Sequence, residues 1–561
     1  MSVTVKACID RREAHLPDYG AIYAAFDLES VKARFAGDFE AGINPAIECC
    51  DRHVKDGAIA LHYEGADGAS LDLTFAELKD MSSRMANFLV AQGLKPGDVV
   101  SAMLPRTPEL LATIIGVWRM GGIYQPLFTA FGPKAIEHRL KVSGSKFVVT
   151  DAVNRPKFLE VPNHPPILIA SRDGRAGEAG DFDARVELAK QSSDFTPVMR
   201  RGDDLMLMMS TSGTTGLPKG VPIRIRALMT FDVYMRLAID LRPEDIFWNI
   251  ADPGWAYGVY YAVIGPLLLG HTTTFYDGPF TVEATYRVIE KLGITNLTGA
   301  PTAYRLLIAA GPEAGAKVRG QLRAVSSAGE PLNPEVIRWF AEHLDAPIYD
   351  HYGQTEVGMV VNSHHGVRHS VLQGSAGLSM PGHRCVVLDI DGNELGPNIP
   401  GELAIDITRS PLHYFMGYWQ QETPQIAGGY YRTGDTVELE PSGHISFVGR
   451  SDDVITSSGY RIGPFDVESA LIEHPAVLET AVVGKPDPER TEIVKAFVVL
   501  KKGFVASDDL AEELGQFVKK RLSAHAYPRE IEFMEQLPKT PSGKLQRFLL
   551  RNAEKAKATD G

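Results

Sequence analysis

Short apolar runs alternate with segments of helical spacing over most of the chain. Residues 98–103 (DVVSAM), 146–150 (KFVVT) and 205–209 (LMLMM) read as buried strands. Between such runs, Phe75–Ala91 carries apolar residues at helical spacing. A helix is predicted after Asn333. Asn333 caps it, Pro334 suits the first turn, and Val336, Phe340 and Leu344 recur on one face. The alternation predicts an α/β architecture for the large N-terminal part. The last hundred or so residues read differently. A helix opens at Pro464, runs through Val467, Ala470 and Leu471, and ends before Pro475. Strands follow at 480–483 and 493–500, then a helix over 508–522 and a strand over 530–534. The 508–522 helix has its acids in the first turn and Lys519, Lys520 and Arg521 in the last, as the helix dipole prefers. This predicts a small α+β unit. The polar stretch 449–453 (GRSDD) sets the division: 1–449, a linker at 450–453, and 454–561.

Composition narrows the function classes. A length of 561 residues suggests several compact units. Hydrophobic residues are 44% and charged residues 23%, which is globular. Net charge is −13 and no basic tract dominates, so an extended nucleic-acid surface is not expected. Cys8, Cys49, Cys50 and Cys385 form no CxxC pair, which argues against a disulfide scaffold and a zinc ribbon. No run of about 18 apolar residues occurs. The stretch VIGPLLLG (263–270) is broken by Gly and Pro. The start lacks a charged n-region followed by an apolar h-region, and ATDG at the end is no peroxisomal or ER address. We expect a cytoplasmic protein without membrane insertion. The patterns leave the oligomeric state open, a homo-oligomer included.

Residues 210–220 read STSGTTGLPKG. Glycines let backbone N–H groups approach phosphate oxygens, hydroxyls add donors, and Lys219 adds charge. Taken alone, the run reads more readily as a flexible polar loop. A Walker A loop is excluded by spacing: two residues separate Gly213 from Gly216, and Gly220 follows Lys219. The loop resembles the signature of the acyl-adenylate-forming superfamily, which holds acyl-CoA synthetases, luciferases and peptide-synthetase adenylation domains. Further matches follow in that family's order: GAPT (299–302), GEP (329–331), YGQTE (352–356), YRTGD (431–435), GRSD (449–452) and PKTPSGK (538–544). Together they cover nearly the whole chain. The resemblance implies the family's fold, a large N-terminal domain with a small mobile C-terminal domain. It also implies ATP, magnesium and coenzyme A as reactants and cofactor.

Residue by residue, the resemblance implies that Thr211, Ser212, Gly213, Thr214, Thr215, Gly216 and Lys219 cradle the β- and γ-phosphates. Thr355 would contact the α-phosphate. Glu356 would hold the magnesium, with Thr211 beside the same Mg-ATP. Asp435 would hold the ribose hydroxyls, and a carboxylate accepting two hydroxyl bonds suits that task. Asp350, Gly329, Glu330, Pro331, Tyr352, Gly353 and Gln354 would lie around the nucleotide, and Arg450 and Arg461 would reach ribose or phosphate. Surface turns and surface salt bridges are the plain readings of these residues without the motifs. Lys544 resembles the lysine that bridges carboxylate and α-phosphate in the first step. Related enzymes control that lysine by reversible acylation, which erases its charge and implies a lysine acyltransferase and deacylase as partners. Asp452 resembles the hinge residue, and Ser458, Gly459, Tyr460 and Arg461 the wall of the thiol tunnel. Lys519 aligns with a basic residue that meets the CoA 3′-phosphate in acetyl-CoA synthetases. Helix-dipole placement accounts for it equally. Arg155 is a weaker candidate for that phosphate. His474 aligns with an ion site in the same subgroup, with carbonyls at Ile472 and Val477. A helix-end histidine is the preferred reading.

The thiol is expected to be free CoA, since little chain follows the Lys544 loop and 44–54 (NPAIECCDRHV) looks like the acetyl- and medium-chain acyl-CoA synthetase branch. Trp255, Tyr257, Gly299 and Gly353 are expected to line the acyl pocket. Acetyl-CoA synthetases resemble WQTE where this chain has GQTE. Removing an indole would open room for several methylenes, each worth about 0.8 kcal/mol if buried. The expected acid is therefore a short or medium, straight or branched one larger than acetate. Acetate or propionate, an aryl acid and an amino acid are the rival substrates. A nucleotide-binding sensor without catalysis is the rival outside enzymes.

Overall fold

The computed structural model describes residues 16–175, 177–211, 218–450, 453–457, 460–487, 490–522, 526–539 and 545–559. The side chains of Tyr460 and Arg461 lie outside that description. The expected helix Phe75–Ala91 forms over those residues. Thr74 and Glu77 cap it reciprocally, Thr74 Oγ1 accepting from the Glu77 N–H at 3.1 Å and Glu77 Oε2 from the Thr74 N–H at 2.8 Å. Its apolar face, through Phe75, Leu78, Met85, Phe88 and Leu89, is buried in the main core.

Among the described residues, a seven-stranded sheet orders Phe182–Asp183, Ile167–Ile169, Phe147–Thr150, Val99–Met103, Ile123–Pro126, Leu205–Ser210 and Gly220–Arg224. All its pairs are parallel except the last, a hairpin. Its strands are nearly continuous apolar runs because helices cover both faces. An eleven-stranded sheet begins with Phe247–Asn249, Asn296–Gly299, Ala324–Ala328 and Ile348–Gln354, all parallel. It continues antiparallel through Gly358–Asn362 and Ser375–Ser379 to Ile445–Arg450, Tyr430–Leu439 and Gly401–Asp406. A three-stranded sheet completes the large part.

A five-stranded sheet carries Tyr460–Ile462, Ile455–Ser457, Thr491–Leu500, Val477–Asp487 and Glu530–Phe533, with helices Pro464–Ile472 and Asp508–Arg521 against it. The expected small α+β unit is thus present, with ends shifted by a few residues. One element differs in kind. The helix after Asn333 is α only over Pro334–Trp339 and widens to a π turn over Phe340–Leu344. The wide turn keeps Val336, Phe340 and Leu344 buried and ends at Asp345, whose left-handed φ of 52° frees the N–H to bond the Phe340 carbonyl.

Candidate active site

The phosphate-loop motif sits at the tip of the Leu205–Ser210/Gly220–Arg224 hairpin, where Ser210 pairs with Gly220. Two bonds shut its neck: Thr211 N–H donates to the Lys219 carbonyl at 3.0 Å, and Lys219 N–H to Thr211 Oγ1 at 3.0 Å. Ser212, Gly213, Thr214, Thr215 and Gly216 lie outside the described residues. Lys219 Nζ stands 4.6 Å from the centroid of the Tyr418 ring, a cation–π contact. Tyr418 Oη donates to Glu356 Oε1 at 2.9 Å. Glu356 is buried, and burial pushes its carboxyl above the ordinary range while the Tyr418 bond pulls it back. Tyr260 Oη donates to the Thr355 carbonyl at 2.9 Å, so the turn carrying Thr355 and Glu356 is pinned from below. Lys219, Thr355 and Glu356 are thereby brought into one contact series.

Asp435 is the centre of a second series. Tyr352 Oη donates to its Oδ2 at 2.6 Å, and Gln354 Nε2 to the same atom at 2.9 Å. Gln354 also donates to the Thr433 carbonyl at 2.9 Å and accepts from Tyr431 Oη at 2.8 Å. Its amide is spent on orienting the carboxylate, so its role is positioning. Arg450 stands opposite Asp435 in register on the next strand. Gly434 takes a φ of 76°, which suits glycine, and its N–H donates to Glu402 Oε1 at 2.9 Å.

Asp350 Oδ2 accepts from Leu332 N–H at 3.1 Å, and its Oδ1 from His351 N–H at 3.1 Å. Burial pushes this carboxyl up to about 8. These bonds fix the turn that starts at Gly329, where φ is 99° and a Cβ would meet open space. Glu330 departs from expectation. Its carboxylate turns to the helix Pro301–Ala309, accepting from Thr302 Oγ1 at 2.9 Å and Arg305 at 3.0 Å.

The acyl side corrects one expectation. A Cβ built on Gly353 would lie 2.1 Å from the Gly358 carbonyl oxygen and 2.7 Å from the Met359 Cα. Gly353 is therefore required by close strand packing, and the Cβ direction runs into backbone rather than into room vacated by an indole. Trp255 packs its ring on Phe128 and Phe131, and its indole N–H is buried without a protein partner. Tyr257 lies on the short helix Ala256–Gly258, its Oη 3.1 Å from Tyr234 Oη. Gly299 ends its strand with the Tyr304 ring against it.

In the small unit, Asp452, Ser458, Gly459 and Lys544 lie outside the described residues. The neck of the Lys544 loop is visible: Lys539 bridges Leu545, and Gln546 N–H donates to the Pro538 carbonyl at 2.9 Å. The helix Arg547–Thr559 follows, with Arg547 paired to Glu468 at 2.6 Å and Arg551 paired to Asp453. Tyr460 and Arg461 form a strand against Ile455–Ser457. His474 takes its plain reading: Nδ1 accepts from Ala476 N–H at 3.3 Å and Nε2 faces Glu513 at 3.2 Å, so both ring nitrogens are engaged. Lys519 lies in the last turn of its helix with Nζ 5.3 Å from the Tyr527 ring centroid. Arg155 is buried against Asp181 at 2.7 Å, which corrects its reading as a phosphate contact. Among the described residues no group of His, Cys, Asp or Glu gathers as a ready-made metal cage.

Sequence reading missed the tyrosines. Tyr418, Tyr260 and Tyr234 sit in no motif used above, and their partners are far away in the chain. Tyr431 lies inside YRTGD and could have been singled out from that place.

The model of the family described as AMP-binding enzyme matches residues 50–419, and that of the AMP-binding enzyme C-terminal domain matches 466–544. The chain is 39% identical over 549 residues to an acetyl-coenzyme A synthetase of Bacillus subtilis, covering 96% of this chain and 95% of that protein. It is 35% identical over 519 residues to a 4-hydroxybutyrate–CoA ligase of Metallosphaera sedula, covering 91% and 90%. Among solved structures, an acyl-CoA synthetase of Brucella canis superposes with a TM-score of 0.80 at 62% identity, covering 97% of this chain and 100% of that one. Among the described residues no helix is long and apolar enough to cross a membrane. The chain belongs to the AMP-binding enzyme family, in its branch of AMP-forming acyl-CoA synthetases.

Proposed function

We propose that this ligase activates a carboxylic acid larger than acetate as an acyl-adenylate and transfers it to free CoA in the cytoplasm, where both nucleotides are found. The observation that carries the nucleotide half is the pair of contact series: Lys219–Tyr418–Glu356 at the phosphate loop, and Tyr352 and Gln354 converging on Asp435. In step one the acid's carboxylate attacks the α-phosphate and pyrophosphate leaves. A carboxylate is already nucleophilic at neutral pH, so the step needs alignment and charge rather than a base. Lys219 meets phosphate charge, Asp435 holds the ribose hydroxyls in one orientation, and Lys544 bridges carboxylate and α-phosphate. Magnesium, when bound, neutralises charge on the phosphates. Glu356 and the nucleotide itself fit it, because Mg²⁺ is usually held by one or two carboxylates plus substrate oxygens. In step two the small domain, 454–561, turns about Asp452 within 450–453. The CoA thiol enters past Ser458–Gly459–Tyr460–Arg461, attacks the acyl carbon and expels AMP.

The size of the acid rests on a narrower base than the reaction does. Because a Cβ at Gly353 meets strand backbone, the support is the similarity to a ligase named for a four-carbon acid. The test is the initial rate of CoA-dependent AMP release for unbranched acids of two to ten carbons, isobutyrate and benzoate, with pyrophosphate exchange run alongside. Acids of three to six carbons should exceed acetate. Acetate as the best acid overturns the size. Exchange stimulated by amino acids alone overturns the acid class, and no exchange with any acid overturns the ligase reading.

A further inference from the structure

Behind Tyr257 runs a chain of hydrogen bonds whose direction can be worked out. His351, on the strand Ile348–Gln354, places Nε2 3.0 Å from the Ser363 carbonyl. A carbonyl only accepts, so Nε2 carries a proton. The ring is buried, and burial with His365 nearby pushes its pKa down to about 3, so the imidazole is neutral. Nδ1 is then a bare lone pair, 2.7 Å from Tyr234 Oη, and Tyr234 donates to it. A phenol has one proton. Tyr257, with Oη 3.1 Å from Tyr234 Oη, must therefore donate in its turn. The proton of Tyr257 points back into the protein, and its oxygen has only lone pairs left to offer.

Tyr257 is half-buried, with its ring edge against Tyr261. The helix that carries it is tied to the end of the parallel strands by Asn249, whose amide donates to the Tyr257 carbonyl at 3.5 Å. Gly299, Ser327 and Asp350 follow across those strand ends in register. Resting on the reading above that Tyr257 lines the acyl pocket, we infer that its oxygen is a specificity element which accepts a hydrogen bond from the substrate, so that the acid carries a hydroxyl on its chain. A carbonyl or second carboxylate at that place would set lone pair against lone pair. An ammonium would have to leave water for phenols, an imidazole and Asp350, whose carboxyl burial pushes up to about 8 and whose two oxygens already accept backbone N–H bonds, which is costly. An unsubstituted chain would leave the lone pairs of that oxygen desolvated and without a donor.

The test compares kcat/KM for CoA-dependent AMP release within sets that differ at one carbon: pentanoate, 4-hydroxypentanoate and 4-oxopentanoate, and butyrate with its 3-hydroxy and 4-hydroxy forms. In the wild type the best hydroxy acid should exceed its parent by about tenfold, and 4-hydroxypentanoate should exceed 4-oxopentanoate by about as much. Tyr257→Phe should bring the hydroxy-to-parent ratio to about one. Tyr234→Phe removes the acceptor of the Tyr257 proton. The freed O–H then faces the substrate, and 4-oxopentanoate should gain about tenfold on 4-hydroxypentanoate. A merely structural role would slow all acids together and invert no ratio. Absence of a hydroxy-acid preference in the wild type overturns the inference, as does a ratio that Tyr257→Phe leaves unchanged. The ligase reading survives both. No AMP release with any acid overturns the ligase reading instead. Where a variant fails to fold, the wild-type ratios alone decide.

Discussion

On the proposed nucleotide side of the site, charged groups belong to short contact series, Lys219 over Tyr418 and Asp435 under Tyr352 and Gln354. On the acyl side, Tyr257, Tyr234 and His351 form a series with no net charge at all. Both are carried by the strand Ile348–Gln354, so neighbouring residues of one strand serve opposite environments. Tyr352 and Gln354 reach a carboxylate, while His351 runs back through phenols. The contrast shows what each half must meet. Phosphate and metal charge need fixed countercharge, whereas a carbon chain needs dry walls whose polarity is set by hydrogen-bond direction alone.

If buried neutral histidines hold the fold around the site, acid should damage it most. His351, His365 and His383 have pKa values pushed down by burial to about 3, and His364 well below its ordinary 6.5. Each is neutral when folded and protonates more readily when unfolded. Its contribution is intact above about 6.5 and is lost as pH falls from there towards 3. At pH 5 each of the three near 3 should cost about 2 kcal/mol, together roughly 6, of which the raised Asp350 carboxyl offsets about 3 between pH 7 and 5, read as falling stability in guanidinium titrations. A flat profile over that range would remove the account of buried neutral histidines. Next, Lys544→Ala should cut pyrophosphate exchange by about 10³-fold while sparing thioester formation from supplied acyl-adenylate. Gly459→Leu should do the reverse, and equal loss of both steps in both variants would end the two-conformation reading. Gly353→Ala should lower stability by about 2 kcal/mol, because its Cβ meets strand backbone. A variant of unchanged melting temperature with a narrower acid range would reinstate Gly353 as a pocket residue. The smallest effect is expected from Tyr418→Phe, about tenfold in exchange, since Lys219 keeps an aromatic face and Glu356 loses one donor.

Much of the fold was legible because each element announced itself locally. Thr74 and Glu77 flank the helix Phe75–Ala91, and its limits were read to the residue. The strand Phe147–Thr150 was an apolar run between polar residues. The π turn at Phe340–Leu344 was not legible, since burial of Val336, Phe340 and Leu344 fits a helix of either pitch. In the site, motif residues such as Asp435 and Glu356 could be placed, but their partners could not. Tyr418 meets Glu356 across 62 residues of chain, and no local pattern marks so distant a contact. Gly353 shows the opposite failure. A missing side chain was read as space, when what decides is whose backbone lies along the absent bond.

The neck of the phosphate-loop hairpin has an entropic consequence. Thr211 and Lys219 are already clasped by two hydrogen bonds. The cost of bringing the ends of a loop together grows with the logarithm of its length, and here folding has met that cost before any nucleotide arrives. A threonine at 211 thus acts as a clasp through its hydroxyl oxygen. Valine there would keep the shape of the side chain and leave the Lys219 N–H without its acceptor.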